Sequence, residues 1–408
     1  MRVLYFHQHF TTPEGTGGTR SYEFARALIA RGHQVTMVCG RSERSVLDLP
    51  LDPARRWHRG VIDGIDVIAL PLAYSNRDGV ARRAWTFLRF AFRSAAIAVR
   101  QEGDLIYATS TPLTSAIPGI VAKFLWRRKR FIFEVRDLWP ELPRALGMKN
   151  PLLLGGMSLL EWLAYRWADA CVGLAPGIEE GIKRRSPPGR RVALIPNGCD
   201  LELFHPASRG RLDLPGIAPG NFVAGFTGAH GLANGLEAVL DAAVELKRRG
   251  RADISLVLIG DGIRKDRLVA RARRENLENC HFFPPMKKTA VARLTASLDC
   301  GLQILADVPA FYRGTSPNKF FDYISAGLPV VNNYPGWLAD LITEHRCGLV
   351  VPPRDPIAFG DALIRLADHQ EERSAMGRAA RALAERKFSR AALSRQFVDF
   401  LEGVERGN

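Results

Sequence analysis

Twice along this chain a short apolar run gives way to a glycine-rich loop and then to a helix. Val3-Leu-Tyr-Phe6 leads through a loop containing Gly17 and Gly18 into a helix predicted over 21–31 and ended by Gly32. Phe222 to Thr227 leads through Gly228-Ala-His-Gly-Leu-Ala-Asn-Gly235 into a helix from Leu236. Strands buried on both faces read as continuous apolar runs, and in parallel sheets they alternate with crossover helices. The pattern therefore predicts an α/β protein with two doubly wound domains. In each, a glycine loop lets the backbone approach a ligand closely.

Further strands are predicted at 34–39, 65–70, 104–108, 131–135, 170–174 and 191–195, and the rhythm resumes at 222 after a Gly- and Pro-rich stretch over 186–220. With 408 residues and 47% hydrophobic content the chain is long enough for two cores. Its six cysteines have no paired metal-ligand spacing, so buried reduced thiols, no metal and no cofactor are expected. The start, which enters a strand directly, lacks the pattern of a signal peptide, and a cytoplasmic protein is expected. The net charge of +15 calls for an acidic partner: nucleic acid, anionic lipid or a phosphorylated substrate. No aromatic-rich basic groove or recognition motif supports nucleic acid.

Residues 313–331, Arg-Gly-Thr-Ser-Pro-Asn-Lys-Phe-Phe-Asp-Tyr-Ile-Ser-Ala-Gly-Leu-Pro-Val-Val, predict a loop, a helix capped by Ser316 with Pro317 in its first turn, a stop at Gly327 and a buried strand. Free N–H groups at the helix start and the Lys319 charge suit a phosphate, and Asp322 one turn later could accept hydrogen bonds from a vicinal diol. The competing reading is a well-capped crossover helix with a solvated Lys and Asp.

This stretch resembles the donor-binding segment of the retaining glycosyltransferases of family 4, whose fold, GT-B, has two Rossmann-like domains facing across a cleft. Of that family's two acidic residues, the one that holds the donor ribose falls on Asp322, and the one that touches the donor sugar falls on Gly314, leaving Thr315 or Ser316, beside Asn318, to replace it. Asn197-Gly-Cys-Asp-Leu-Glu-Leu-Phe-His-Pro206 is similar to the family's interdomain linker. The resemblance implies that Gly17 and Gly18 face the donor diphosphate. It also places Gly228, His230 and Gly262 at the donor. Where the family has an Arg and a Lys to grip the diphosphate this chain has Ala229 and Asn234, so Lys319 and Arg264 become the substitute cations.

Strand 131–135 delivers Arg136-Asp137 at its carboxyl end, the edge where open α/β sheets bind ligands. The family often has His-Asp here, beside acceptor and donor sugar. Asp137 and Arg136 are thus the candidate catalytic residues, with an ion-paired structural loop as the alternative.

Between the strands at 65–70 and 104–108, Arg82, Arg89, Arg93 and Arg100 fall at steps of seven, four and seven, one stripe of a helix that carries Trp85 and Phe92 on a neighbouring face. Such a helix suits an anionic membrane surface, with arginines on lipid phosphates and aromatics in the headgroup region. A core helix with one solvated basic stripe is the other reading. Residues 152–167 predict an apolar helix too short and too punctuated to span a bilayer, core with an exposed aromatic edge.

These readings together predict an acceptor domain over 1–205, a donor domain over 206–388 and a returning helix over 389–408. The function expected is transfer from a nucleotide diphosphate sugar, UDP-linked and N-acetylated, to a polyprenyl-diphosphate-linked sugar at the inner membrane face, as in the bacterial O-antigen or capsule fucosamine-type subgroup. The alternatives are a GT-B sugar-nucleotide 2-epimerase and a non-enzymatic nucleic-acid-binding protein.

Overall fold

The computed structural model describes residues 1–42, 47–74, 78–206 and 214–407. The chain divides into two units: Met1–Pro196 with Arg313–Ser316 and Ala391–Asn408, and Asn197–Tyr312 with Pro317–Arg390.

The first unit is built on β1 Arg2–Phe6, β2 Gln34–Ser42, β3 Leu51–Asp52, β4 Trp57–Ile62, β5 Ile65–Tyr74, β6 Leu105–Thr109, β7 Arg130–Val135, β8 Ala170–Gly173 and β9 Arg191–Leu194. They form one sheet in the order β3-β4-β5-β2-β1-β6-β7-β8-β9. All pairings are parallel except β3 with β4 and β4 with β5. The antiparallel β3 and β4 were not expected, because Trp57-His-Arg-Gly-Val-Ile62 has no apolar run and lies partly exposed near the sheet edge.

On one face Val3, Tyr5, Met37 and Tyr107 pack under the helices Arg20–Ala30 and Arg390–Glu405. Phe24 and Phe397 stack there at 4.1 Å between ring centroids. On the other, the helices Val80–Arg100, Ile117–Leu125 and Pro151–Trp167 lie side by side. Because β1 lies between β2 and β6, the direction of winding reverses there. The carboxyl ends of β1 and β6 flank the crevice where such sheets take ligands.

The second unit contains β10 Phe222–Thr227, β11 Ile254–Ile259, β12 Cys280–Phe283, β13 Cys300–Gln303, β14 Val330–Asn332 and β15 Gly348–Val350. They form a parallel sheet, β12-β11-β10-β13-β14-β15, with β10, β11, β13 and β14 wholly buried. Its winding reverses between β10 and β13.

Two local expectations are corrected. The helix after the 313–317 loop is Asn318–Ser325, with Pro317 at its N-cap and no side-chain cap, so Ser316 does not cap it. Ser316 instead groups with the first unit and Pro317 with the second. The helix Pro151–Trp167 is capped by Asn150, which accepts from Leu152 N and Leu153 N, and it is far less buried than expected. Leu152 is 85% exposed and Leu153 50%, whereas Trp162, at 52%, matches the exposed aromatic edge expected.

Candidate active site

In the first unit, Arg20 at the start of its helix turns its side chain into the protein and meets Glu134 at the end of β7. Arg20 Nε donates to Glu134 Oε2 at 2.9 Å, while its Nη1 and Nη2 donate to the carbonyls of Pro196 and Ile195. Tyr107 and Thr109 each donate to Glu134 at 2.7 Å. Burial acts to raise the Glu134 carboxyl, but Arg20, Arg136 and these hydrogen bonds outweigh it and hold the group below its ordinary range. One buried network thus joins the helix that follows Gly17 and Gly18, the strand that delivers Arg136 and Asp137, and the last residues of the unit before Asn197.

Next along the chain, Arg136 N donates to Ser110 Oγ at 2.8 Å, which ties the end of β7 to the end of β6. Asp137 is half-buried with Thr111 Oγ1 3.5 Å from its Oδ2, and burial raises its carboxyl above the usual range. Thr111 holds φ at 110°, a costly conformation for a β-branched residue. His7, which is not among the sequence candidates, follows β1, is 3% exposed and is held well below its ordinary pKa by burial and then by Arg136 and His9. Among the described residues its Nδ1 has no hydrogen-bond partner. Nothing in the sequence marked it beyond its place at the carboxyl end of a strand.

In the second unit, Lys319 reaches back to the glycine loop after β10. Its Nζ donates to Asn234 Oδ1 at 3.1 Å and lies 4.5 Å from the Phe226 ring centroid. Asn234 Nδ2 in turn donates to the Ala229 carbonyl at 2.7 Å. Two residues 85 apart in sequence are therefore neighbours, and burial lowers the Lys319 ammonium to about 8. The glycines are required sterically. A Cβ on Gly228, whose φ is 143°, would sit 3.2 Å from Lys319 Cε, and one on Gly260 would sit 1.9 Å from the Gly228 carbonyl oxygen.

His230 does not open onto this loop. Its ring is fully buried near Phe226 and Phe282, lowered to about 4, and its backbone holds the 260–264 turn by accepting from Arg264 N and donating to the Asp261 carbonyl. Gly262 packs against that backbone, where a Cβ would fall 2.5 Å from the His230 carbonyl oxygen. Arg264 Nη2 is paired with Glu237 at 3.0 Å. Asp322, half-buried, is raised to about 6 by burial, against the pull of Lys288 and Arg390 and with a push from Asp200. Lys288 and Asp200, 3.5 Å apart, were not singled out in the sequence.

Residues 15–198 match the glycosyl transferase 4-like domain and residues 221–369 match the glycosyl transferases group 1 domain. The chain belongs to the family 4 glycosyltransferases. Among curated relatives, this glycosyltransferase is 28% identical over 196 residues to the D-inositol 3-phosphate glycosyltransferase of Nocardia farcinica, covering 46% of this chain and 42% of the relative. A counterpart from Nocardioides sp. is 28% identical over 233 residues, covering 51% and 48%. The chain spans about half the length of the curated relatives it matches.

Solved structures carry the same GT-B fold. Sucrose-phosphate synthase from Thermosynechococcus elongatus superposes with a TM-score of 0.79 at 18% identity, over 100% of both chains. HepE from Anabaena, in complex with UDP and glucose, gives 0.69 at 17% over 98% of this chain and 99% of that one. WaaG, a glycosyltransferase involved in lipopolysaccharide biosynthesis, gives 0.71 at 16% over 98% and 100%. The family and fold expected from the sequence are therefore correct.

Proposed function

We propose that this glycosyltransferase moves a sugar from a UDP-linked donor, with retention of configuration, to a polyprenyl-diphosphate-linked sugar while resting on an anionic membrane surface, as a step in surface polysaccharide synthesis. The observation that carries the reading is the outward face of the helix Val80–Arg100. Trp85 and Phe92 are 61% and 67% exposed there, and Arg82, Arg89, Arg93 and Arg100 are exposed with them, while Phe90, Ala91, Ile97 and Ala98 are buried. Large aromatics left in water beside a stripe of arginines fit lipid better than solvent.

The same layer continues the character. Phe124, Trp126, Leu153 and Trp162 on the neighbouring segments are exposed, and among the described residues no helix is long and apolar enough to cross a membrane. Peripheral docking is the matching mode. In solution, vesicles of anionic lipid should pull the protein down, high salt should weaken this, and changing the four arginines to glutamine should abolish it. Equal sedimentation of both proteins would remove the membrane from the proposal.

For the chemistry, Lys319 and the Gly228 loop take a donor phosphate, with Arg264 second because Glu237 already neutralises it. Asp322 accepts from the ribose diol. Retaining transfer builds positive charge at the sugar carbon while the leaving diphosphate takes up negative charge and can accept the acceptor's proton. Asp137, with its raised carboxyl, orients the acceptor hydroxyl or answers that charge.

A further inference from the structure

We propose that Glu161 and Arg185 are positioning residues for sugar transfer: together they clasp the main chain at Trp139 and so hold Asp137 in place. The inference rests on the role proposed for Asp137, and its test separates the two.

Asp137 lies between two anchors. Before it, Arg136 N donates to Ser110 Oγ at 2.8 Å. After it, both polar groups of the Trp139 backbone are taken by side chains from two helices. The N–H donates to Glu161 Oε1 at 3.0 Å, and the carbonyl accepts from Arg185 Nη1 at 2.9 Å. Glu161 stands in the helix Pro151–Trp167, and Arg185 ends the helix Pro176–Arg185. The two close on each other through Arg185 Nη1 and Glu161 Oε2, while Arg185 Nη2 reaches Glu141 Oε1 at 3.0 Å. Leu138 lies against Gly181 in the helix of Arg185, where a Cβ would fall 2.6 Å from Leu138 Cδ1. Residues on both sides of Asp137 are thus fixed from outside the loop, and its own carboxylate has Thr111 Oγ1 at 3.5 Å.

Glu161 is 1% exposed, and Tyr165 Oη donates to its Oε1 at 2.9 Å. Burial pushes the carboxyl up, against the hydrogen bonds from Trp139, Tyr165 and Arg185. A buried carboxylate paired with an arginine is a poor source of stability, since apolar side chains of similar volume often hold two helices as well or better. Its strength is in fixing geometry, because the arginine fork, the carboxylate and the peptide must all align at once. That suits a carboxylate required at a transition state, which must be held to within about 0.5 Å and loses about a hundredfold in rate when misplaced by about 1 Å.

The test uses the full chain and three readouts: UDP released from UDP-sugars over a polyprenyl-diphosphate-linked sugar in anionic vesicles, UDP affinity by calorimetry, and amide hydrogen exchange over 136–142. Arg185→Met keeps the side-chain stem and removes the fork. It should lower kcat about tenfold or more while the donor KM and the UDP dissociation constant change by less than about threefold, and it should speed exchange over 138–142. Arg185→Lys should recover part of the lost kcat. Tyr165→Phe takes a hydrogen bond from the same carboxylate without touching the loop, so it should lower the melting temperature and leave kcat and exchange unchanged. In an Asp137→Asn background, Arg185→Met should lower kcat no further. Normal kcat for Arg185→Met beside a slow Asp137→Asn would overturn the clasp and leave the role of Asp137 standing, whereas normal kcat for Asp137→Asn would overturn that role and the proposal with it. Losses of kcat in Arg185→Met and Tyr165→Phe that only track the melting temperature would make the cluster structural. Unchanged exchange in Arg185→Met would overturn the proposal without any measurement of sugar transfer.

Discussion

Arg20 Nε donates to Glu134 Oε2 at 2.9 Å across 114 residues of sequence, and with 3% and no exposure of the two side chains the pair is sealed from water. Two charges in such a place hold together because each guanidinium nitrogen and each carboxylate oxygen has a partner. Removing one partner leaves the other buried and uncompensated.

Arg20→Ala should therefore destabilise the protein by about 3 to 5 kcal/mol in urea unfolding, with Glu134→Gln less severe because an amide oxygen in the place of Oε2 can still accept from Arg20 and Tyr107. The Glu134 carboxyl is held below its ordinary value of 4.5. Its contribution is present above that value and is lost as pH falls through the lower native one. A loss below 1 kcal/mol for Arg20→Ala would show that the network is incidental.

Lys319 gives a binding signature. With its ammonium lowered to about 8, phosphate affinity is full below that pH. UDP affinity should then fall by up to about tenfold per pH unit above it, until the value in the complex is reached. Lys319→Ala should bind UDP weakly and without this dependence, and a flat wild-type profile between pH 7 and 9 would contradict the assignment.

Asp322, raised to about 6, is protonated at lower pH and then loses its charge for the ribose diol. UDP binding should weaken as pH falls through about 6. Asp322→Ala should lower affinity about ten- to hundredfold at pH 7.5 without lowering the melting temperature, since one charge-assisted hydrogen bond is worth roughly 1.5 to 3 kcal/mol. Unchanged affinity with a lower melting temperature would make the residue structural.

Asp137→Asn tests the chemical step. Turnover should drop by about a hundredfold or more while the UDP dissociation constant changes by less than about threefold, because the residue acts on charge that exists only at the transition state. Proportional losses in both would mean that Asp137 only holds its loop.

Apolar periodicity made the parallel strands and both glycine loops readable, and heptad-like spacing placed the four arginines on one outward face. It could not show which apolar helix face lacks a cover, so the exposure of Leu152 and Leu153 is not legible, although that of an aromatic edge is. Pairing at long range was invisible too: Arg20 reads as a charge beside a glycine loop, and only folding brings Glu134 to it. Lys319 was legible as a cation at a helix start, but its burial beside Phe226 and Asn234, which lowers its ammonium, depends on the turn after β10. The edge strands β3 and β4 escaped because partly exposed strands carry no continuous apolar signal.

The most direct test of the central claim is incubation of the purified protein with labelled UDP-sugars and a polyprenyl-diphosphate-linked sugar in anionic vesicles. Label should move into the lipid extract with retained anomeric configuration, and less when the four arginines of the 80–100 helix are changed to glutamine. Release of label only as an epimerised UDP-sugar, or transfer to soluble acceptors with none to lipid, would contradict the account.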